Sequence, residues 1–221
     1  MDPKRVVEQG YDRIAQQYLD WVLTEPAEAR VRYTQVLLER LPARARVLDL
    51  GCGAGLPTTR ALAERFWVIG ADISARQVAL ARQNVPAAAF LQADIGTLSL
   101  APESLDGVSA FYSIIHVPRE EQPDLLRRIA AWLRPGGLFV ATLGARAHAV
   151  DYADDFLGAP MYWSSYDADT NRRLVEQAGL RTLSAREETT VELGDPVVFL
   201  WVVAEKPAAS AHGRVCPDAN N

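Results

Sequence analysis

Only two cysteines, Cys52 and Cys216, occur in 221 residues. One lies in a glycine-rich turn and the other near the end of the chain, which suggests neither a disulfide framework nor a zinc cluster. No apolar run approaches the roughly 18 residues needed to span a bilayer. The opening "MDPKRVVEQGYDRIAQQY" also lacks the continuous apolar stretch of a signal peptide. A cytoplasmic protein with no membrane contact is the expectation. Basic residues are in deficit: 23 Lys and Arg against 28 Asp and Glu leave a net charge of −5. That counts against nucleic acid as a partner, because phosphate contacts need concentrated positive charge. Internal repeats are absent. What is present is ordinary for a globular protein, with 49% hydrophobic and 23% charged residues, enough to bury a core in one domain or one domain with an added lid.

The first forty residues carry a helical pattern. "DPKRVVEQGYDRIAQQYLDWV" places Val6, Val7, Ile14, Tyr18 and Trp21 on one stripe, with Gly10 as a candidate break, and "AEARVRYTQVLLERL" ends before Pro42. Then the rhythm changes. "RVLDL", "FWVIGAD", "AAFLQAD", "LDGVSAFYS" and "GLFVATL" are short apolar runs with little alternation, as expected of strands covered on both faces. Between them lie helical stretches at about Gly55–Glu64, Ser74–Asn84 and Arg119–Leu133, with Ser74 as an N-cap for the second. Alternating strands and helices mean right-handed crossovers and a doubly wound, Rossmann-like α/β sheet. Residues 145–166 read as a long connection, which at that length suits a cover over a site. "DADTNRRLVEQAGL" reads as a helix closed by Gly179. "RTLSAREETTVEL" and "PVVFLWVVAEK", separated by "GD", read as an antiparallel hairpin at a sheet edge. The tail 206–221 is small and polar, and disorder is expected of it.

In such a sheet the site lies at the carboxyl ends of the strands. There "RVLDLGCGAG" offers Asp49 and then Gly51, Gly53 and Gly55, bare backbone that a ligand can approach closely. A pyrophosphate would want Gly-x-Gly-x-x-Gly, and Asp49 would repel it. A carboxylate there suits a cationic ammonium instead. The second strand ends at Asp72, placed to accept both hydroxyls of a ribose. A ribose acceptor plus an ammonium partner describes S-adenosylmethionine (SAM).

"VLDLGCGAG", "VIGADIS", "LQADI" and "LRPGGLFV", in that order and at those separations, resemble the class I SAM-dependent methyltransferases over about residues 1–205, among them bacterial small-molecule enzymes. The resemblance implies a seven-stranded sheet with an antiparallel last strand, in agreement with the terminal hairpin. By resemblance Asp49 and Gly51–Gly55 hold the methionine part, Asp72 the ribose and Ile73 the adenine face. Asp94 with Ile95 meets the adenine amino edge. Tyr11 and Tyr18, in a helical lid over 1–42, belong to a segment that many relatives fold over the cofactor. Bland alternatives stand beside these: a helix cap for Asp94, core packing for the two tyrosines, space-filling for Cys52.

Methyl transfer from a sulfonium needs alignment, exclusion of water and, for a hydroxyl acceptor, a base. "FYSIIHVPRE" supplies His116 on the loop beyond the fourth strand. Its open roles are catalytic base, orienter of the acceptor and structural hydrogen-bond partner. Tyr112 stands in that loop where adenine and glutamine N-methyltransferases carry "NPPY", and is placed with the cofactor-binding residues. Phe156, Met161, Tyr162 and Trp163 form a candidate wall for a flat small acceptor, with anchoring to the core as the competing reading. His148 reads as a solvated loop residue, and Asp151, Asp154 and Asp155 as a solvated face, so no metal is expected. The activity expected is methyl transfer to oxygen or nitrogen of a small molecule by a monomer or homodimer. The Ala- and Arg-rich composition hints at a bacterium and secondary metabolism. A non-catalytic SAM-binding module or a SAM-assisted enzyme of another reaction type is the alternative. A nicotinamide dehydrogenase is opposed by the glycine spacing.

Overall fold

The structure, a computed structural model, describes residues 2–24 and 28–208. His212, Cys216 and nearly all of the tail lie outside the described residues. Two helices, α1 (Pro3–Thr24) and α2 (Glu28–Arg40), precede a sheet built from β1 (Arg46–Leu50), β2 (Trp67–Asp72), β3 (Ala89–Gln92), β4 (Leu105–Ala110), β5 (Leu133–Gly144), β8 (Arg181–Glu192) and β9 (Asp195–Glu205). Its order is β3-β2-β1-β4-β5-β9-β8. The first five strands are mutually parallel, and β9 runs antiparallel to both β5 and β8. This is the expected doubly wound sheet with a terminal antiparallel hairpin. The chain reverses direction across the sheet between β1 and β4, so the loops after those two strands face one crevice.

Each sheet face has its own core. Leu48, Leu50 and Val108 pack with α5 (Gln122–Trp132) and α6 (Ala168–Gln177), while Val47 and Val68 pack with α2 and α3 (Thr58–Ala63). Local sequence explains the helix starts. Ser74 accepts a hydrogen bond from the Gln77 amide (3.0 Å) to cap α4 (Ala75–Asn84), and Asp167 accepts from the Thr170 amide (2.7 Å) to cap α6. α6 stops at Gly179, φ +91°.

Several expectations are corrected. Gly10 does not break α1. A Cβ there would lie 2.7 Å from the Pro160 carbonyl oxygen and 2.9 Å from Met161 Cε, so the glycine lets another strand press on the helix. The helix after the glycine loop begins at Thr58, three residues later than read, and Arg119–Glu121 form a 3-10 turn ahead of α5. β3 is not covered on both faces. It is a sheet edge, and with no helix in 93–104 the face carrying Ile69 and Leu91 stays open.

Residues 145–166 are not an irregular connection either. They form a hairpin of β6 (His148–Phe156) and β7 (Ala159–Ser165) joined by Leu157-Gly158, both at positive φ. β8 and β9 turn on Leu193-Gly194 in the same way, one residue before the "GD" of the sequence reading. A two-residue turn of this kind matches strand twist, but Leu in place of Asn conceals it from inspection. No helix among the described residues is long and apolar enough to cross a membrane.

Candidate functional site

The loop after β1 is tied to the end of β2. The amides of Gly51 and Cys52 both donate to the Ala71 carbonyl, at 2.7 and 3.1 Å. Gly51 (φ +68°) is required by packing, since a Cβ would sit 2.2 Å from Ser113 Cβ. Gly53 (φ +54°) differs. A Cβ there would meet only Gln77 Oε1, at 3.9 Å, and would project into open space. Gly55 packs toward Val85 and Ala81 and does not line the cavity.

Asp72 organises the loop's far side. Its two oxygens accept from the Gly53 and Ser74 amides, each at 2.9 Å. Burial pushes its carboxyl up to about 6, against the pull of those two amides. Asp49 lies beneath the loop, buried, accepting from Thr59 Oγ1 (2.6 Å) and Ser109 Oγ (2.8 Å). Burial raises its pKa and the two hydroxyls oppose the rise. It does not line the cavity, so any attraction for an ammonium acts through the loop.

That cavity, an empty space of about 840 Å³ that includes part open to solvent, follows α1, whose Lys4, Val7, Tyr11, Tyr18, Leu19 and Val22 all line it. At ~1.5 Å per helical residue, Lys4 and Val22 mark ends about 27 Å apart. At the Lys4 end stand Asp94 and Ile95. Asp94 accepts from Lys4 Nζ (2.9 Å) and from the Gly96 amide (2.7 Å), a local turn rather than a helix cap. Asp72, Ile73, Gly53 and Gln77 line it further on, and Tyr112 also borders it. Tyr112 sits at φ +57°, its amide donating to Thr142 Oγ1, its ring edge-on to Phe199 and Trp201, with burial pushing its phenol up to about 12.

His116 borders the cavity with both ring nitrogens engaged. Nδ1 is 2.8 Å from the Tyr162 carbonyl oxygen and Nε2 is 2.9 Å from Tyr11 Oη. A carbonyl only accepts, so the proton is on Nδ1, and Nε2 accepts from the Tyr11 phenol. Burial lowers the imidazole to about 4 against the pull of that carbonyl, and burial holds Tyr11 well above the ordinary phenol value. The pair is therefore neutral at pH 7, and a base with an ordinary histidine pKa is not what the geometry provides. Tyr11 and Tyr18 do pack edge to face, with centroids 4.9 Å apart, but they line the cavity as well.

The proposed acceptor wall is corrected. Met161 and Tyr162 are buried against Val6, Val7 and Ile14 of α1 and do not reach the cavity. Trp163 comes within 5.9 Å of the His116 ring and packs on Phe156, again outside the lining. Anchoring won because β7 is the strand on which α1 rests. Conversely, sequence reasoning missed Lys4, Arg30, Gln77 and Ser113, all of which line the cavity. Gln77 is 1% exposed and neither atom of its amide has a hydrogen-bond partner among the described residues. Its place in the first turn after Asp72 was the available signal. For Arg30 the sequence gives none.

A family model described as "Methyltransferase domain" matches residues 47–137. Trans-aconitate 2-methyltransferase of Variovorax paradoxus is 40% identical over 128 residues, 54% of this chain and 48% of that protein. Malonyl-[acyl-carrier protein] O-methyltransferase of Enterobacter lignolyticus is 30% identical over 208 residues, 87% of this chain and 75% of that protein. Measured on several such relatives, the matched stretch covers 61%, 48% and 44% of their length, so the chain spans about half the length of these curated relatives. In fold, the chain is similar to the 1,6-didemethyltoxoflavin-N1-methyltransferase of Burkholderia thailandensis, with a TM-score of 0.70 at 18% identity, covering 92% of this chain and 88% of that one.

Proposed function

The chain belongs to the class I SAM-dependent methyltransferases, and from that premise we propose that it transfers a methyl group from SAM to an oxygen or nitrogen of a small organic molecule. The observation that carries this reading is the cavity along α1, bordered by Asp72, the Gly53 backbone and an orphaned Gln77 amide. These residues fit the cofactor. Asp72 has lone pairs left for a ribose, and the Gln77 amide offers a donor and an acceptor where a vicinal diol needs both. Ile73 and Ile95 give apolar surface for an adenine, with Asp94 at its edge. The Gly51–Gly53 backbone serves the methionine part, with Asp49 beneath it. Tyr11, Tyr18 and Tyr112 close the space around it.

When bound, SAM supplies an activated methyl group. What the protein adds is alignment and exclusion of water. His116 holds Tyr11 in place, and its low basicity favours an acceptor that arrives already nucleophilic, an ionised carboxylate oxygen or a neutral amine. Two relatives are named for acceptors that carry a free carboxylate, trans-aconitate and malonyl-[acyl-carrier protein]. The Ala- and Arg-rich composition supports a bacterial setting, with secondary metabolism as the proposed context. The test is incubation with SAM and fractions of a host extract, read by mass spectrometry. A product heavier by one methyl group, with matching S-adenosylhomocysteine (SAH), is expected. SAH binding without any methylated product in any fraction would instead identify a SAM-binding module or a SAM-assisted enzyme.

A further inference from the structure

Both β-hairpins turn on the same dipeptide, Leu157-Gly158 and Leu193-Gly194, with each leucine at positive φ. Asparagine suits that position better, because most side chains crowd the backbone in the left-handed region. Leu157 has a packing reason: it rests on the cluster of Val6, Val7, Ile14 and Met161. Leu193 has none. It is 51% exposed and belongs to none of the core clusters of the described residues. A leucine disfavoured by its own backbone and again by water serves something other than the fold.

Its position indicates what. The ladder of β5 on β9 ends at Gly144↔Phe199, so the pairs from Thr189↔Val198 to Glu192↔Asp195 project past the carboxyl end of β5. That projection is ~13 Å of strand, on the edge of the sheet where the cavity lies. The start of α2 flanks it, with Arg32 paired to Glu188 and Tyr33 Oη donating to the same carboxylate (2.9 Å). The charge of Glu192, next to Leu193, reaches Tyr11, Tyr18 and Tyr112 of the cavity lining.

Leu193 is not alone at this end. Val191 on the same projection, Leu23 at the end of α1 and Val31 at the start of α2 are also more than half exposed. The chain neighbours of the last two, Val22 and Arg30, line the cavity, and Leu19 and Leu56 add apolar surface inside it. The other large exposed hydrophobics of the described residues lie elsewhere, on β2, β3 and β6. A second copy of the chain is a poor occupant for this lip. Half-exposed aliphatic side chains on three separate elements fall short of the roughly 800 Å² that each partner buries in a stable interface. A hydrocarbon chain leaving the cavity matches its size.

We propose that Leu193, with Val191, Leu23 and Val31, forms an apolar lip that binds the hydrocarbon part of an amphipathic methyl acceptor whose polar head enters the cavity. The inference rests on the reading of the cavity as a SAM and acceptor site.

Calorimetry tests it. The probes are n-alkanoates and n-alkylamines of six to twelve carbons, titrated into the SAH complex of wild type, Leu193→Asn and Val31→Gln. Wild type is read first: if it does not bind SAH, the cofactor reading itself falls and this proposal with it. In wild type, affinity for at least one series should rise about two- to fourfold per added methylene. In each variant that slope should fall by about half or more, with the longest chains losing most. Leu193→Asn gives the turn its favoured sequence, so its melting transition should also rise.

Four results overturn the proposal with SAH binding intact. One is a wild type that binds neither series, or binds all chain lengths alike. Another is the same slope in all three proteins. A third is a lowered melting transition in Leu193→Asn, which means that the leucine serves the fold. The fourth is a wild type that sediments as a dimer and a Leu193→Asn variant that sediments as a monomer, which assigns the lip to a second copy.

Discussion

Asp72 keeps its charge at a cost, because burial raises its carboxyl to about 6. The folded pKa lies above the unfolded value, so the empty protein holds this proton more tightly than the unfolded chain does. Its contribution to stability is greatest below pH 4 and declines, by about 3 kcal/mol in all, as the pH rises through 6. Ligand affinity has the opposite sign. Ribose hydroxyls donate to the ionised form, so SAH affinity is full above pH 6 and falls about tenfold per unit below it. Calorimetry from pH 5 to 8 should show that slope, with proton release on binding near pH 6. A flat profile would remove Asp72 from the sugar site.

Gln77→Leu replaces an amide left without partners. It should stabilise the ligand-free protein by about 1–2 kcal/mol while weakening SAH roughly tenfold; a destabilised variant with unchanged affinity would make Gln77 purely structural. With His116 at about 4, turnover should be independent of this group between pH 6 and 8, and a kcat inflection near 6.5 that disappears in His116→Asn would restore it as a base. At this scale the sequence was legible where backbone chemistry dictates residue type, as at Asp72, Gly51 and Gly53. It was silent where only tertiary packing brings a side chain to the cavity, as with Arg30 and Lys4.

Elements reveal the same division. The parallel strands β1, β4 and β5 were visible because most of their residues are buried on both faces, and β9 because apolar residues persist along it. The β6–β7 hairpin was hidden: β6 is exposed along almost its whole length, so it carries no alternation, and its turn uses Leu157 where Asn would have announced it. Gly10 was misjudged for a related reason, since a glycine in a helix signals a break unless the partner pressing on it is known.

Gly10→Ala tests the corrected reading. Alanine would gain about 1 kcal/mol of helix propensity. Its Cβ would, however, meet the Pro160 carbonyl, which is backbone and cannot swing away, and overpacking of this kind costs about 1–3 kcal/mol. The clash should win, lowering stability in urea by about 1 kcal/mol and loosening α1 from β7. A variant more stable than wild type would show that β7 yields easily.

Across the whole molecule, α1 is the part whose contacts join fold to function. It rests on β7 through Val6, Val7 and Ile14. Its polar side chains fasten it at three points: on the cavity lining, Lys4 to Asp94 and Tyr11 to His116, and outside that lining, Asp12 to Ser74 Oγ (2.6 Å) and the Arg76 amide (3.0 Å). Each anchor is a neighbour of a proposed cofactor contact. A ligand held beneath α1 adds contacts to a helix fastened at only these points.

The central strands β1 and β4 pack on both faces and gain little from ligand, whereas α1 has one buried stripe and depends on its anchors. Hydrogen exchange should therefore slow about tenfold across residues 3–24 when SAH is added, with β1 and β4 amides nearly unchanged. Asp12→Ala should speed exchange in α1 without ligand and weaken SAH, while leaving the sheet's protection intact. Exchange in α1 as slow as in β4 without ligand, and indifferent to SAH, would mean that the helix is a fixed wall.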